Sequence, residues 1–214
     1  MSKTIIEYFR AIVKRKTMGR FKQTNNLISN FNNCVVGLDR DGVINTDLGT
    51  YITRKQDFIP IEHSLKAVAL IRSKGHKIVI ITNQGGIIKN ELTEQQVESV
   101  HAHMFELLGQ AGCSSIDGLY YSSSSQKQDL MAKPNIGMFE RAQDEIPNLK
   151  FSKGFYVGDK LSDLKAAYKI GARPILVRTG HGLETEKTLK KFTYQKIAKR
   201  TKIYNNLWEF AQAL

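Results

Sequence analysis

The chain has 214 residues, of which 41% are hydrophobic and 24% are charged. This length and apolar content allow a full core, which excludes a small disulfide-stabilised fold and a wholly disordered chain. No apolar run approaches the roughly 20 residues that a membrane-spanning helix requires. The two cysteines, Cys34 and Cys113, lack CxxC spacing. So few cysteines favour a reducing compartment, and we expect a cytoplasmic protein.

The net charge of +12 is concentrated at the two ends of the chain. Residues 1–33 hold seven basic residues and one acidic residue, and residues 185–214 hold seven and two. Residues 34–184 are nearly neutral, with eighteen basic and seventeen acidic residues. We therefore divide the chain into a basic N-terminal extension (1–33), a central domain (34–184) and a basic C-terminal segment (185–214). A nearly neutral centre favours an enzyme for a small substrate over a nucleic-acid binder.

The N-terminal extension carries apolar residues at helical spacing, which predicts a basic amphipathic helix over about Ile5 to Lys16. Four interpretations remain open. The helix packs on its own domain, it contacts a membrane surface or a partner protein, it is a targeting segment, or the residues before Met18 are an upstream extension.

From Cys34 onward, short apolar runs alternate with helical patterns, which is typical of βαβ units. Residues 202–204 and 207–214 add a weaker strand and a closing helix. We therefore expect an α/β fold, a Rossmann-like parallel sheet with helices on both faces. The predicted strands are Cys34–Leu38, Lys77–Ile81, Gly118–Tyr121, Gly154–Val157 and Pro174–Val177, and the predicted helices are Glu62–Ser73, Thr93–Leu108, Ile136–Glu145 and Ser162–Ile170.

Polar residues follow three of these strands, at the edge where open parallel sheets bind ligands. Asp39 and Asp41 follow the first strand, Thr82 ends the second, and Asp159 follows the fourth. An acidic cluster with no Cys or His suits a hard cation such as Mg²⁺. Lys133, before a predicted helix, supplies a fixed positive charge.

A metal, a lysine and a hydroxyl around one carboxylate predict phosphoryl transfer, where catalysis is mostly positioning and charge neutralisation. We expect Asp39 to attack phosphorus as the nucleophile. Asp41 would protonate the leaving oxygen and later activate the water that hydrolyses the intermediate. Asp39, Asp41, Thr82 and Lys133 are the candidate catalytic residues.

These residues resemble the four motifs of the haloacid dehalogenase superfamily of phosphatases, in order: Asp39–Val43, Thr82, Lys133 and Gly158–Asp163. Within it, the chain resembles the subgroup of heptose 1,7-bisphosphate phosphatases and histidinol phosphatases. The resemblance implies that Asp39, the backbone of Asp41 and Asp159 hold Mg²⁺, while Asp163 supports them from behind. It also implies substrate contacts from Asp47, Leu48, Gly49, Thr50, Asn83, Gln84, Gly85, Lys133 and Lys160.

Two departures from the subgroup concern its zinc loop and its substrate grip. The segment between Tyr121 and Lys133 contains no Cys or His, so we expect no structural zinc there. Ala132 replaces the arginine that precedes the lysine in the subgroup, which removes a bidentate phosphate ligand. The connections after the first and third strands are short, so we expect no separate cap domain.

The remaining histidines and the basic run carry weaker signals. His101 and His103 lie two apart on a predicted helix and face different directions, so we expect surface or interface positions for them. His181 is a minor candidate for a substrate contact. Cys34 fits a small buried residue, and the run from Lys187 to Arg200 fits a solvated helix face.

The sequence thus predicts a monomeric, Mg²⁺-dependent phosphatase of a small phosphorylated metabolite, with a heptose bisphosphate as the first candidate substrate. Three alternatives remain. One is the same chemistry on histidinol phosphate. Another is a nucleic-acid 3′-phosphatase that uses the basic ends as clamps, which the neutral centre disfavours. The third is a non-catalytic scaffold whose N-terminal helix binds a partner.

Overall fold

The computed structural model describes residues 34–214, and the helix expected within residues 1–33 lies outside them. In the described part, six strands form one sheet in which every pairing is parallel. The strands are β1 Val35–Leu38, β2 Lys77–Asn83, β3 Gly118–Ser122, β4 Phe155–Gly158, β5 Arg173–Val177 and β6 Lys202–Tyr204. Their order is β3-β2-β1-β4-β5-β6, so β1 has β2 on one side and β4 on the other.

Helices connect most of these strands. The longest helix begins after Thr93, with the expected capping box. The Thr93 side chain accepts the backbone N–H of Gln96, and the Gln96 side chain accepts the backbone N–H of Thr93. The helices are α1 Ser64–Ser73, α2 Glu94–Gln110, α3 Gly137–Glu145, α4 Leu161–Ile170, α5 Gly182–Leu189, α6 Gln195–Ala198 and α7 Leu207–Ala213, with 3₁₀ turns at Lys55–Asp57, Phe151–Lys153 and Phe192–Tyr194.

Helices bury both faces of the sheet. Val36 and Leu38 of β1 pack in one cluster with apolar residues of α1, α2 and α7. Val35 points the other way and joins residues of α3 and α4. Because alternate strand side chains face opposite sides, a sheet covered twice needs the continuous apolar runs seen in the sequence. The expected α/β fold is confirmed.

The C-terminal region differs from the sequence-based expectation. The run from Lys187 to Arg200 forms the end of α5, a 3₁₀ turn and α6, where a single solvated helix face was expected. Leu189 is buried against Leu164 and Leu176, and Tyr194 packs on the same cluster. The boundary placed at 184/185 falls inside α5, and β6 pairs with β5. The strand expected at residues 202–204 is confirmed, whereas a four-residue helix such as α6 leaves too short a periodic pattern to recognise.

Cys34 and Cys113 are buried free thiols, and Cys34 lies 3.0 Å from Nδ1 of His76. Burial raises the pKa of both thiols, which makes them unreactive as thiolates. Among the described residues, no helix is both long and apolar enough to span a membrane.

Candidate active site

Three buried carboxylates meet at the edge where β1 and β4 end. Asp39 follows β1, Asp159 follows β4, and Asp163 lies in the first turn of α4. One oxygen of each lies within 4.8 Å of the others. Nζ of Lys133 lies 2.9 Å from Asp39 Oδ1 and 2.7 Å from Asp163 Oδ1. These four residues, here called the acidic cluster, combine three acids with one base, so the cluster carries a surplus of negative charge when ionised.

Burial and mutual repulsion make this cluster hold protons. Burial raises the pKa of Asp39 to about 6, although Lys133 pulls it downward. Burial and then the carboxylates of Asp163 and Asp39 raise the pKa of Asp159 to about 8. Burial opposes the charge of Lys133, but Asp163 and Asp39 outweigh it and raise the lysine pKa. A cation entering the cluster would therefore compete with protons on Asp39 and Asp159.

The donor set fits a magnesium ion. Oδ2 of Asp159 accepts the backbone N–H of His181 at 2.8 Å, while its buried Oδ1 accepts no hydrogen bond from any residue in 34–214. Leaving a buried carboxylate oxygen unpaired costs free energy, and a bound cation would remove that cost. The cluster offers oxygen ligands alone, as Mg²⁺ prefers. Asp163, expected behind the ligands, contributes one of the three clustered carboxylates and also pairs with Lys133.

Hydrogen bonds to two strands, β2 and β4, fix the position of Lys133. Asn83 at the end of β2 accepts the backbone N–H of Lys133 and donates to its carbonyl, both at 3.0 Å. Nζ also donates to the carbonyl of Ile81 at 3.0 Å and to the hydroxyl of Tyr156 on β4 at 2.8 Å. Tyr156 was not predicted as a site residue, because a tyrosine within an apolar strand carries no signal for a lysine 23 positions away.

A second buried cluster, the Arg40 cluster, surrounds the carboxylate of Asp41. Arg40 donates to Asp41 from Nε at 3.0 Å and from Nη2 at 2.9 Å. Asn45 and Gln84 donate to it at 2.9 and 3.0 Å. Burial would raise the pKa of Asp41, but the Arg40 guanidinium and the amide donors lower it. Gln84 also donates to Thr82 Oγ1 at 3.1 Å, which ties that hydroxyl to the cluster.

His101 belongs to the same cluster, and the expectation of a surface position is wrong. Its side chain is fully buried, with Nε2 3.0 Å from Nη1 of Arg40. Position 101 lies on the apolar stripe of α2, next to Val97, Val100, Met104 and Phe105, all of which are buried. That spacing was the signal for burial, but the polarity of histidine concealed it.

Two turns close over Asp159. Gly42, after the Asp41 turn, has φ +82°, and Gly180, after β5, has φ +55°. A side chain at either position would overlap the Asp159 carboxylate. Thr179 Oγ1 donates to the carbonyl of Gly42 at 2.6 Å and holds the two turns together. The glycines therefore allow backbone to approach the acidic cluster closely.

An open cavity of about 480 Å³ lies beside these clusters. Its wall includes Arg40 and Asp41. Seven expected substrate-binding residues also line it, whereas Gly85 and Lys133 do not. Four lining residues were not predicted, because they lie on connections without a periodic pattern: Tyr51, Ile52, Lys89 and Glu91. The seven are Asp47, Leu48, Gly49, Thr50, Asn83, Gln84 and Lys160, and His181 is a further lining residue.

Two charged contacts cross the cavity mouth. Lys160 Nζ lies 2.7 Å from Asp47 Oδ2, and His181 Nε2 lies 3.4 Å from the same oxygen. Burial opposes the charge of Lys160, but Asp159 and then Asp39 and Asp47 outweigh it and raise its pKa. Lys160 is therefore an ammonium within reach of a negatively charged ligand.

Comparisons with known proteins give a consistent result. The family model described as polynucleotide kinase 3 phosphatase matches residues 35–200. The D-glycero-beta-D-manno-heptose-1,7-bisphosphate 7-phosphatase of Neisseria meningitidis serogroup A is 35% identical over 176 residues, which cover 82% of this chain and 91% of the relative. The D-glycero-D-manno-heptose-1,7-bisphosphate 7-phosphatase of Chlorobaculum tepidum is 37% identical over 163 residues, covering 71% and 81%.

Solved structures with a similar fold include enzymes of the same kind. The crystal structure of D,D-heptose 1,7-bisphosphate phosphatase from B. bronchiseptica, complexed with magnesium and phosphate, superposes with a TM-score of 0.75. It is 26% identical, and the match covers 85% of this chain and 97% of that one. The enzyme of the same name from Burkholderia thailandensis gives a TM-score of 0.62 at 25% identity, with the same coverage.

Proposed function

Since this chain belongs to the polynucleotide kinase 3 phosphatase family and is a hydrolase of the haloacid dehalogenase superfamily, we propose that it removes one phosphate from D-glycero-D-manno-heptose 1,7-bisphosphate. The observation that carries this proposal is the 35–37% identity to phosphatases of that name over most of both chains. The reaction proceeds through a phosphorylated aspartate. Magnesium is the cofactor.

The proposed magnesium ligands are Asp39, Asp159 and the backbone carbonyl of Asp41. The unpaired Asp159 oxygen and the surplus negative charge of the acidic cluster support this assignment. The bound ion would neutralise charge on the transferring phosphoryl group. Asp163 keeps Lys133 in place through their 2.7 Å ion pair.

Asp39 is the proposed nucleophile. Its Oδ1 accepts the backbone N–H of Arg40 at 2.8 Å and pairs with Lys133, which fixes the plane of the carboxylate. The attacking oxygen forms a bond to phosphorus while the bond from phosphorus to the leaving alcohol oxygen breaks. Lys133 and the hydroxyl of Thr82 stabilise the negative charge on the equatorial phosphoryl oxygens.

Asp41 is the proposed acid and base. A phosphate dianion beside it raises its pKa, because a second negative charge disfavours the carboxylate. The protonated form then gives its proton to the leaving oxygen. In the second half-reaction, water attacks the phosphorus of phosphorylated Asp39, Asp41 takes the proton of that water, and inorganic phosphate and the Asp39 carboxylate are released.

The second phosphate of the substrate would bind at the cavity mouth. Position 132, where the subgroup has an arginine, is fully buried here, so an arginine at that position would not face the cavity on the present backbone. The cavity has two lysines, Lys89 and Lys160, and the imidazole of His181, all of which offer N–H donors to a phosphate. Lys160 would exchange its partner Asp47 for phosphate oxygens.

Phosphate release from a substrate panel tests the function. The panel holds heptose 1,7-bisphosphate, other sugar phosphates, histidinol phosphate and a 3′-phosphorylated oligonucleotide, each with and without Mg²⁺. We expect Mg²⁺-dependent selectivity for the heptose bisphosphate and a loss of about 10³-fold or more in Asp39→Asn. Asp144→Asn on the surface of α3 is the matched control. Activity that survives in Asp39→Asn, or selectivity for another member of the panel, contradicts the mechanism or the substrate respectively.

The remaining expectations concern the state of the protein in the cell. Both cysteines are free and buried, which supports a reducing, cytoplasmic location. A monomer is the proposed state, and gel filtration or sedimentation measures it. The basic N-terminal extension would serve location rather than chemistry. Truncation before Met18 with unchanged activity is the expected result.

A further inference from the structure

Arg40 has five N–H donors, and each of its three side-chain nitrogens has a partner within the Arg40 cluster. Nε and Nη2 donate to Asp41, and Nη2 also donates to the side-chain oxygen of Gln84 at 3.1 Å. Nη1 points away from both and meets His101 Nε2 at 3.0 Å. His101 therefore contacts the edge of the guanidinium that Asp41 does not reach. This contact fixes the plane of the guanidinium, and hence the direction from which Arg40 donates to the carboxylate.

The protonation state of His101 follows from its partner. Arginine has donors and no acceptor, so Nε2 must be the unprotonated nitrogen and the ring proton must reside on Nδ1. Burial, and then the charge of Arg40, lower the pKa of His101 well below its ordinary value. The ring stays neutral, and its tilted contact with Tyr121, at 5.6 Å between centroids, fixes its orientation.

This arrangement has a cost in stability. The buried Nδ1 of His101 has no hydrogen-bond partner among the residues in 34–214. An unpaired buried N–H costs free energy, because it has given up its hydrogen bond to water. The flanking positions of the α2 stripe, Val97 and Phe105, are apolar and buried. A residue selected for packing alone would be apolar at 101, so the histidine indicates a requirement for its acceptor nitrogen.

We propose that His101 is a positioning residue for the acid–base step: its neutral Nε2 orients Arg40, which in turn aims the Asp41 carboxylate into the cavity. The proposal rests on the proposed phosphatase function, because it assigns Asp41 the proton transfer. His101 lies behind Arg40 and does not line the cavity, whereas Arg40 and Asp41 do. It touches neither substrate nor metal.

The experiment compares two leaving groups. A sugar alkoxide needs the proton from Asp41 to leave, whereas p-nitrophenolate leaves without one, so loss of acid catalysis selectively slows the sugar phosphate. In His101→Phe, which keeps a ring but removes the acceptor, we expect kcat/KM for heptose 1,7-bisphosphate to fall at least about 10-fold more than kcat/KM for p-nitrophenyl phosphate, because kcat/KM excludes the second half-reaction that both substrates share. His101→Gln supplies an acceptor oxygen and should recover most of the difference. Asp41→Asn gives the reference pattern.

His103→Phe and His103→Gln are the matched controls, because His103 lies on the same helix and faces Glu106 at the surface. They should change neither ratio. Equal losses on both substrates in His101→Phe would mean a structural role only and would overturn the proposal. If wild-type protein hydrolyses neither substrate, the proposed function fails instead.

A measurement on the unmodified protein covers the case in which His101→Phe does not fold. The nitrogen chemical shifts of the His101 ring report which nitrogen carries the proton. We expect the Nδ1–H form, unchanged as the pH falls through the ordinary histidine pKa of 6.5. A protonated Nε2 cannot accept from Arg40, and its detection would overturn the proposal.

Discussion

The Arg40 cluster and the acidic cluster, both at the carboxyl ends of the strands, differ in their balance of positive and negative charge. In the Arg40 cluster one guanidinium faces one carboxylate, and the pKa of Asp41 is lowered. In the acidic cluster one ammonium faces three carboxylates, and the pKa of Asp159 is raised to about 8. The charges of the Arg40 cluster therefore balance without a cation, whereas the acidic cluster requires a cation to balance its charge. The contrast predicts that removing a charge has opposite consequences in the two.

The largest expected effect comes from Asp159→Asn in the acidic cluster. The substitution removes a proposed metal ligand, and a metal contributes several kcal/mol at the developing charge, so kcat/KM should fall at least ~10³-fold. It also removes one of three repelling carboxylates, so the metal-free protein should unfold at a higher temperature. Phosphate release and thermal unfolding measure these two effects, titration calorimetry measures the Mg²⁺ affinity, and Asp144→Asn is the control. Unchanged Mg²⁺ affinity would show that Asp159 is not a ligand.

The matching change in the Arg40 cluster should have the opposite effect on stability. Arg40→Met leaves Asp41, whose side chain is 22% exposed, without its counter-charge, which costs up to about 3 kcal/mol. For a domain of this size the melting temperature should fall by roughly 10 °C. The double variant with Asp41→Asn should recover most of the loss, because no unpaired charge remains. Equal melting temperatures for the single and double variants would contradict a paired cluster.

The raised pKa of Asp159 predicts how pH acts on the metal-free protein. The folded state holds a proton on Asp159 up to a pKa of about 8, whereas the unfolded state releases it near the ordinary value of 3.8. The folded state therefore binds more protons in this window, and stability falls as pH rises through it. One proton corresponds to ~1.4 kcal/mol per pH unit, so the melting temperature should fall by about 3–5 °C between pH 6.5 and 8.

Magnesium and substitution separate this effect from other titrations. The buried histidines have lowered pKa values, so near pH 6.5 their unfolded forms bind more protons than their folded forms, and they oppose the fall in stability at that end of the window. Saturating Mg²⁺ should stabilise the protein more at pH 8 than at pH 6.5, because fewer protons compete with it. Asp159→Asn should flatten the pH dependence. A slope that persists in this variant would assign the titration to another group.

The sequence predicted the acidic cluster better than the Arg40 cluster, for a physical reason. Asp39 and Asp159 each follow a strand, and the ends of neighbouring parallel strands meet, so strand recognition alone brings them together. Lys133 was predicted from its charge and from the family resemblance. Its hydroxyl partner Tyr156 was not, because apolar strands conceal the polar atom of a tyrosine.

The Arg40 cluster depends on contacts that no local pattern encodes. His101 reaches Arg40 across 61 positions of sequence, and Gln84 reaches it across 44. The position of His101 on the apolar stripe indicated burial, but a buried histidine becomes plausible only when its donor is known. The short helices α5 and α6 were not predicted for a different reason. Packing on Leu164 and Leu176, rather than their own periodicity, stabilises them.

The smallest expected effect lies at the cavity mouth, outside both clusters. Lys160 is about two-fifths exposed and pairs with Asp47, so its contribution to substrate binding is screened by solvent. Lys160→Met should raise KM for the heptose bisphosphate several-fold and leave kcat within about twofold, since a charge that contacts the remote phosphate acts on ground state and transition state alike. Lys66→Met on the exposed side of α1 is the matched control. The increase should shrink in high salt, because ions screen exposed charges. A fall in kcat with KM unchanged would place Lys160 at the reacting phosphate and extend the acidic cluster toward the cavity.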